Sequence, residues 1–183
     1  RELSLRTLRM KYFLVKFLAI LLLSAGFGVA KPGPTLAAPE GTGLPLPRFV
    51  SLRVNEVNLR TGPDVRHPIE WIFRRQNLPV EIIAEYKTWR KIRDWQGTQG
   101  WIHQSMVAGK RTIIVTGNPG SVRTLRTKAD AKSPLLARIE AMVIGKLVSC
   151  PGADGWCRVE IDGFKGWLRR VEFWGVHRNE ILK

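Results

Sequence analysis

The stretch Val57-Asn58-Leu59-Arg60-Thr61-Gly62-Pro63, closing at Gly97-Thr98-Gln99-Gly100-Trp101-Ile102, decides the fold. Its frame returns once. Thr124-Leu125-Arg126-Thr127 repeats the opening, and Gly163-Phe164-Lys165-Gly166-Trp167-Leu168 repeats the close. Leu125 follows Leu59, Pro134 follows Pro68 and Trp167 follows Trp101 by one offset, 125 − 59 = 66 residues. A fixed period over matched Leu-Arg, Pro and Gly-x-x-Gly-Trp positions means two copies of one small module.

Within each copy the apolar runs are short and the turns dense. In the first, Val54, Val57 and Leu59 make a strand ended by Gly62-Pro63, and Ile69, Trp71 and Phe73 alternate. Val80, Ile82 and Ile83 form a third run, and residues 89–93 and 99–103 two more, before one helical turn over 104–109 and an extended 113–115. After a hinge at Asn118-Pro119-Gly120, strands are expected at 122–127, 135–140, 143–149, 156–161, 166–168 and 171–174. Short strands at this spacing predict an all-β chain of two small, closed or nearly closed barrels, residues 48–115 and 116–178, with a tail over 179–183. Leu59, Gly62, Pro63, Gly97, Gly100, Trp101, Gly163, Gly166 and Trp167 are the structural positions, the glycines giving tight turns and close backbone approach.

The N-terminus reads as an address. Arg1, Arg6, Arg9, Lys11 and Lys16 precede an uncharged run from Phe17 to Ala30, and small residues follow. Basic, then apolar, then small is the layout of a secretory signal peptide over 1–30, with a cut as late as 37 also allowed. Retention as a membrane anchor is the other reading, and then the membrane is met only through this segment. Residues 31–47 carry five prolines and three glycines. Such a stretch buries too little apolar area to offset its ordering entropy, so it is expected to be a disordered linker.

The net charge is +15. Without residues 1–30 the balance is 25 basic to 14 acidic side chains, or +11. That attracts polyanions in general. An exported chain does not meet nucleic acid, so no specific nucleic-acid partner is expected. Cys150 and Cys157 flank a hairpin loop at the end of one expected strand and the start of the next, within bonding distance for facing residues. Export to an oxidising compartment, periplasmic or secreted, favours a disulfide over two free thiols.

No Gly-x-Ser-x-Gly elbow, His-Glu-x-x-His or phosphate loop occurs, so no catalytic residue, metal ligand or cofactor is expected. His103 and Ser105 read as polar groups at a strand end and turn. Glu81, Glu85, Asp94 and Glu160 lie among basic neighbours and read as surface ion pairs. Candidate ligand contacts are Trp89 and Trp156, with Arg90, Lys91 and Arg158 beside them. With Val159 and Ile161 facing the interior, Trp89 and Trp156 point outward as stacking and cation–π surfaces, or lie as lids across a barrel end.

Together the quoted residues resemble the bacterial SH3-like domain family. The resemblance rests on Val57 to Pro63, Leu78-Pro79-Val80, Trp89 to Asp94 and Gly97 to Trp101, and in the second copy on Leu125-Arg126, Trp156 to Val159 and Gly163 to Arg170. It implies two tandem SH3-like barrels, an envelope-associated life and ligand binding without catalysis, often of cell-wall peptide. In eukaryotic SH3 domains a tryptophan at the start of the corresponding strand lines the peptide groove, the place of Trp89 and Trp156. The second copy departs where Gly62-Pro63 becomes Lys128-Ala129, so its groove is not assured by the resemblance. The function expected is a binding module for cell-wall peptide or an extended segment of an envelope protein. A structural scaffold for a periplasmic partner is the alternative.

Overall fold

The computed structural model describes residues 41–152 and 155–183. The expected signal segment, and the expected linker as far as residue 40, lie outside them. The first sheet is built from β1 (Arg48–Leu52), β2 (Val57–Arg60), β3 (Ile69–Phe73), β4 (Pro79–Tyr86), β5 (Trp89–Arg93), β6 (Gln99–His103) and β7 (Val107–Ala108), with a 3₁₀ turn over Gln104–Met106. The second is built from β8 (Thr112–Val115), β9 (Val122–Arg126), β10 (Leu135–Glu140), β11 (Ile144–Ser149), β12 (Trp156–Ile161), β13 (Phe164–Arg169) and β14 (Phe173–Trp174), with a 3₁₀ turn over Arg170–Glu172. No helix among the described residues is long and apolar enough to cross a membrane.

Strand order is β3-β2-β6-β5-β4-β1-β7 in the first sheet and β10-β9-β13-β12-β11-β8-β14 in the second. Each strand of the second is the seventh after its counterpart, so a duplicated sequence gives a duplicated topology. Phe73 on one edge strand shares a core cluster with Val50 and Leu52 near the other edge, together with Leu59, Ile82 and Ile92. The sheet therefore wraps round its own apolar face, as a small barrel must. Ile113, Val115, Leu125, Ile139, Val159 and Leu168 form the equivalent core. The fold is two tandem small β barrels, as the repeat implied, and SH3-like, as the family resemblance implied.

The Gly-x-x-Gly-Trp frame has a steric cause. A Cβ on Gly100 would lie 2.6 Å from Leu59 Cγ and 2.9 Å from the Arg60 carbonyl, and one on Gly166 would meet Leu125 and Arg126 at 2.7 and 2.8 Å. Only glycine lets β6 reach β2, and β13 reach β9, at that distance.

Four local expectations are revised. The opening strand is Arg48–Leu52, and residues 53–56 form a bend rather than a strand. Ile113–Val115, grouped with the first module on sequence, pairs with β11 and β14 in the second sheet. Residues 179–183 are not a free tail, because Leu182 exchanges backbone hydrogen bonds with Cys150 at 2.7 and 3.0 Å and Glu180 binds Arg111. The described end of the expected linker is also fastened: Thr42 donates its backbone N–H and its hydroxyl to the Glu85 carboxylate.

Glu81, Glu85 and Asp94 are buried, not surface groups. Arg93 pairs with Glu81, and Asp94 Oδ1 accepts the N–H groups of Gln96 (2.9 Å) and Thr98 (2.8 Å), which closes the β5–β6 turn. Glu85 lies between Arg90 (3.1 Å) and Arg48. Burial pushes its carboxyl up, but hydrogen bonds from Arg48 and Thr42 outweigh this and hold it at about 2, below the ordinary 4.5. The Glu85–Arg90 pair falls one step past a β-bulge, where the second barrel has its Cys150–Cys157 disulfide.

The barrels share a seam. Ile114 of β8, fully buried, belongs to the first barrel's core, and Met142, Ile144 and Trp174 pack against that core. Phe49 meets Trp174 edge-on at 4.7 Å, and the Arg111 guanidinium lies 5.7 Å from the Phe49 ring centre.

Two outcomes are expected. Ile114→Ala opens a cavity between the barrels and should cost about 3 kcal/mol in urea unfolding; a cost below about 1 kcal/mol would mean that the seam contributes little. Unfolded Glu85 binds a proton at the ordinary 4.5 and folded Glu85 only at about 2. Its contribution is therefore complete above the higher value and is lost as pH falls toward the lower. Glu85→Gln should flatten the fall in stability across that window, and an unchanged acid limb would refute the assignment.

Candidate ligand-binding site

Strand β5 carries Trp89 and Lys91 on the outer face of the first barrel, beside β6. Trp89 faces His103 across the ladder and meets its ring edge-on at 5.6 Å. Lys91 faces Trp101, and on the other side Trp101 faces Arg60 of β2. Directly opposed residues share a face, so the half-buried Trp101 lies between two cations. The second barrel repeats the row: Trp167 stands between Arg158 and Arg126.

The five proposed contacts do not behave alike. Trp89 and Lys91 are half-buried on the outer face, and Arg158 is exposed. Arg90 points inward: it is 3 % exposed and also donates to the carbonyls of Lys87 and Trp89 and to Gln104 Oε1 at 2.7–2.9 Å. Trp156 is only 9 % exposed, with the Arg169 guanidinium 5.5 Å from its ring centre. It borders a small cleft of about 230 Å³ with Arg126, Ala131 and Glu172. Alternation left Trp156 either outward or across a barrel end; the ring is buried, with Arg169, opposite it on β13, over its face.

His103 and Ser105 are explained by the turn. His103 Nδ1 accepts the Ser105 N–H at 3.3 Å and lies 2.8 Å from Ser105 Oγ, capping the 3₁₀ turn that follows β6. Among the described residues no group of three or more His, Cys, Asp and Glu gathers as a metal site would require.

Two clefts border the first barrel. One, of about 580 Å³, is lined by Thr42, Arg48, Arg53, Arg90, His103 and Ser105 among others. The other, of about 380 Å³, runs along the seam between Trp71, Arg74, Arg75 and Trp95 of the first barrel and Ile114 and Met142 of the second. Sequence reasoning missed this groove. Trp71 was read as one member of an alternating strand, yet the residue is 56 % exposed. A signal was present: Trp71 faces Leu59, whereas its counterpart facing Leu125 is Ala137. This tryptophan has no partner in the repeat.

Tandem SH3-like barrels with a repeated aromatic and basic face define a class of binding domain. The family model described as "Bacterial SH3 domain" matches residues 53–109 and 121–175, most of the chain, and the chain belongs to that family. Bacterial SH3 domains are binding modules. Family and disulfide together are compatible with an extracellular or envelope location. No curated protein matches the chain. Among solved structures it is similar to NlpC2 from Trichomonas vaginalis, at 12% identity over 70% of this chain and 48% of that one, TM-score 0.32. It is also similar to NlpC1 from the same organism, at 12% identity over 77% and 51%, TM-score 0.32. The chain thus spans about half the length of either.

The tryptophans should separate on substitution. Trp156→Ala is expected to cost about 3 kcal/mol in denaturant unfolding, because it empties a buried site. Trp71→Ala, on an exposed ring, should stay within about 0.5 kcal/mol. Equal costs would contradict these burials.

Proposed function

We propose that this chain is a non-enzymatic binding module of the cell envelope, exported through its N-terminal segment, whose barrels take cell-wall peptide or another extended peptide. The observation that carries the reading is the row repeated in both barrels, a tryptophan between two cations: Arg60, Trp101 and Lys91, then Arg126, Trp167 and Arg158. Indole faces take the apolar stem of a peptide, and flanking cations meet its free carboxylates. Trp89 extends the row in the first barrel. The buried carboxylates support binding over catalysis, since Glu85 and Asp94 are engaged by fixed internal donors.

A second reading is a rigid scaffold for a partner protein. It is favoured by Ile114, a residue of the second sheet whose side chain is buried in the first barrel's core.

The test is retention on purified peptidoglycan. Replacing Trp89, Lys91 and Arg158 together with alanine should weaken retention about tenfold while the thermal melt stays close to that of the parent chain. Full retention by the triple variant would discard this face as the site.

A further inference from the structure

The seam groove adjoins an unpaired strand edge. β3 ends the first sheet and is hydrogen-bonded on one side, to β2. Its first four residues are all exposed, with Ile69 at 45 %, Trp71 at 56 % and Ile72 at 38 %. An exposed apolar edge is a ready template for another strand, which folded proteins usually blunt with proline, charge or a covering loop. Glu70 is the one charge within β3. The chain then runs from β3 into Arg74 and Arg75, both exposed at the lip of the groove. Among the described residues neither guanidinium has an ion pair or a side-chain hydrogen bond.

We propose that β3 and the groove beyond it dock an extended acidic segment of a partner protein, added to the sheet as a further strand. The free main-chain groups of β3 bind the segment's backbone. Trp71 and Trp95 take an apolar side chain, and Arg74 and Arg75 take its carboxylates. Strand spacing favours a peptide over a sugar chain, which has no donors and acceptors at that repeat. Charge disfavours a second copy of this chain, which would bring the same arginine pair and another +15. The surface touches the Trp89 row only where Arg60 faces Ile69, and Trp71, Arg74 and Arg75 lie outside the row, so the proposal stands whether or not that row binds wall peptide. The second barrel cannot duplicate it, because Ala137 replaces Trp71 and the groove needs Ile114 and Met142 as its far wall.

Panning random linear peptides displayed on phage against the full chain is expected to enrich sequences with Asp or Glu beside alternating apolar residues. In anisotropy titrations of the enriched peptides, Trp71→Ala, and Arg74→Glu with Arg75→Glu, should each weaken binding about tenfold. On the unmodified chain, deuterium exchange at the amides of residues 69–73 should slow when peptide is added, a readout that does not depend on any variant folding. Absence of acidic enrichment, unchanged affinity in both variants, or unprotected 69–73 amides would each overturn the proposal. So would sedimentation showing the chain pairing with itself through β3, or a peptidoglycan glycan fragment competing the peptide out of the groove.

Discussion

One four-residue strand holds the structure together. Ile113 and Val115 of β8 point into the second barrel, while Ile114 between them points into the first, and all three are fully buried. Alternation along a strand makes this possible, since neighbouring side chains leave opposite faces. A strand apolar on both faces is what a position between two cores demands. The barrels are therefore not beads on a flexible string. Residues 109–111 alone separate β7 from β8, and Arg111 among them reaches Glu180 and the Gly175 carbonyl. The C-terminal segment returns to the first barrel as well: His177 Nε2 lies 3.2 Å from the Pro47 carbonyl, and its ring packs on Phe49 at 4.7 Å.

The two copies secure the same hairpin by different means. In the second, Cys150 and Cys157 close the end of β11 and β12 covalently, with α-carbons 4.3 Å apart. In the first, Glu85 and Arg90 do it electrostatically. A buried ion pair gains little net stability, because desolvation offsets the attraction, yet losing one partner is costly. Such a pair survives only when surrounding donors satisfy it. Here Thr42, Arg48 and Gln104 supply that shell. The clamp has a consequence that the disulfide lacks: it ties residues before β1 to the barrel, so the chain entering the domain is fixed as far back as Thr42.

What the sequence made legible was whatever the repeat carried. The repetition of one topology, the two glycine contacts and the disulfide all follow from matched positions or from two cysteines flanking one hairpin. The misses share a cause. Asn118-Pro119-Gly120 looked like a hinge between modules and is a loop inside the second, so β8 was assigned to the wrong side of it. Glu85 looked like a surface acid because two of its partners, Thr42 and Arg48, lie about forty residues upstream, beyond any local pattern. Trp156 is buried because Arg169 lies over its ring, and no periodicity announces that an arginine from another strand will do so. Trp71 was hidden by agreeing with its strand, when its disagreement with Ala137 was the informative comparison.

That comparison extends to the backbone. Asn77 and Met142 occupy equivalent turns: each donates its N–H to the last residue of the preceding β1-type strand, Leu52 or Val115, at 2.9 and 2.8 Å. Both have left-handed backbones, with φ of 62° and 72°. Asparagine visits that region readily, whereas methionine does so at a cost of about 1 kcal/mol or more. The second copy tolerates the strain where it places a long apolar side chain against the first barrel's core and along the wall of the seam groove. A duplicated module departs from its twin most tellingly where the departure is energetically unfavourable in isolation. Met142 and Trp71 are two such departures, and they meet at one groove. The seam, more than either barrel face, is where this tandem pair differs from two separate copies of the same domain.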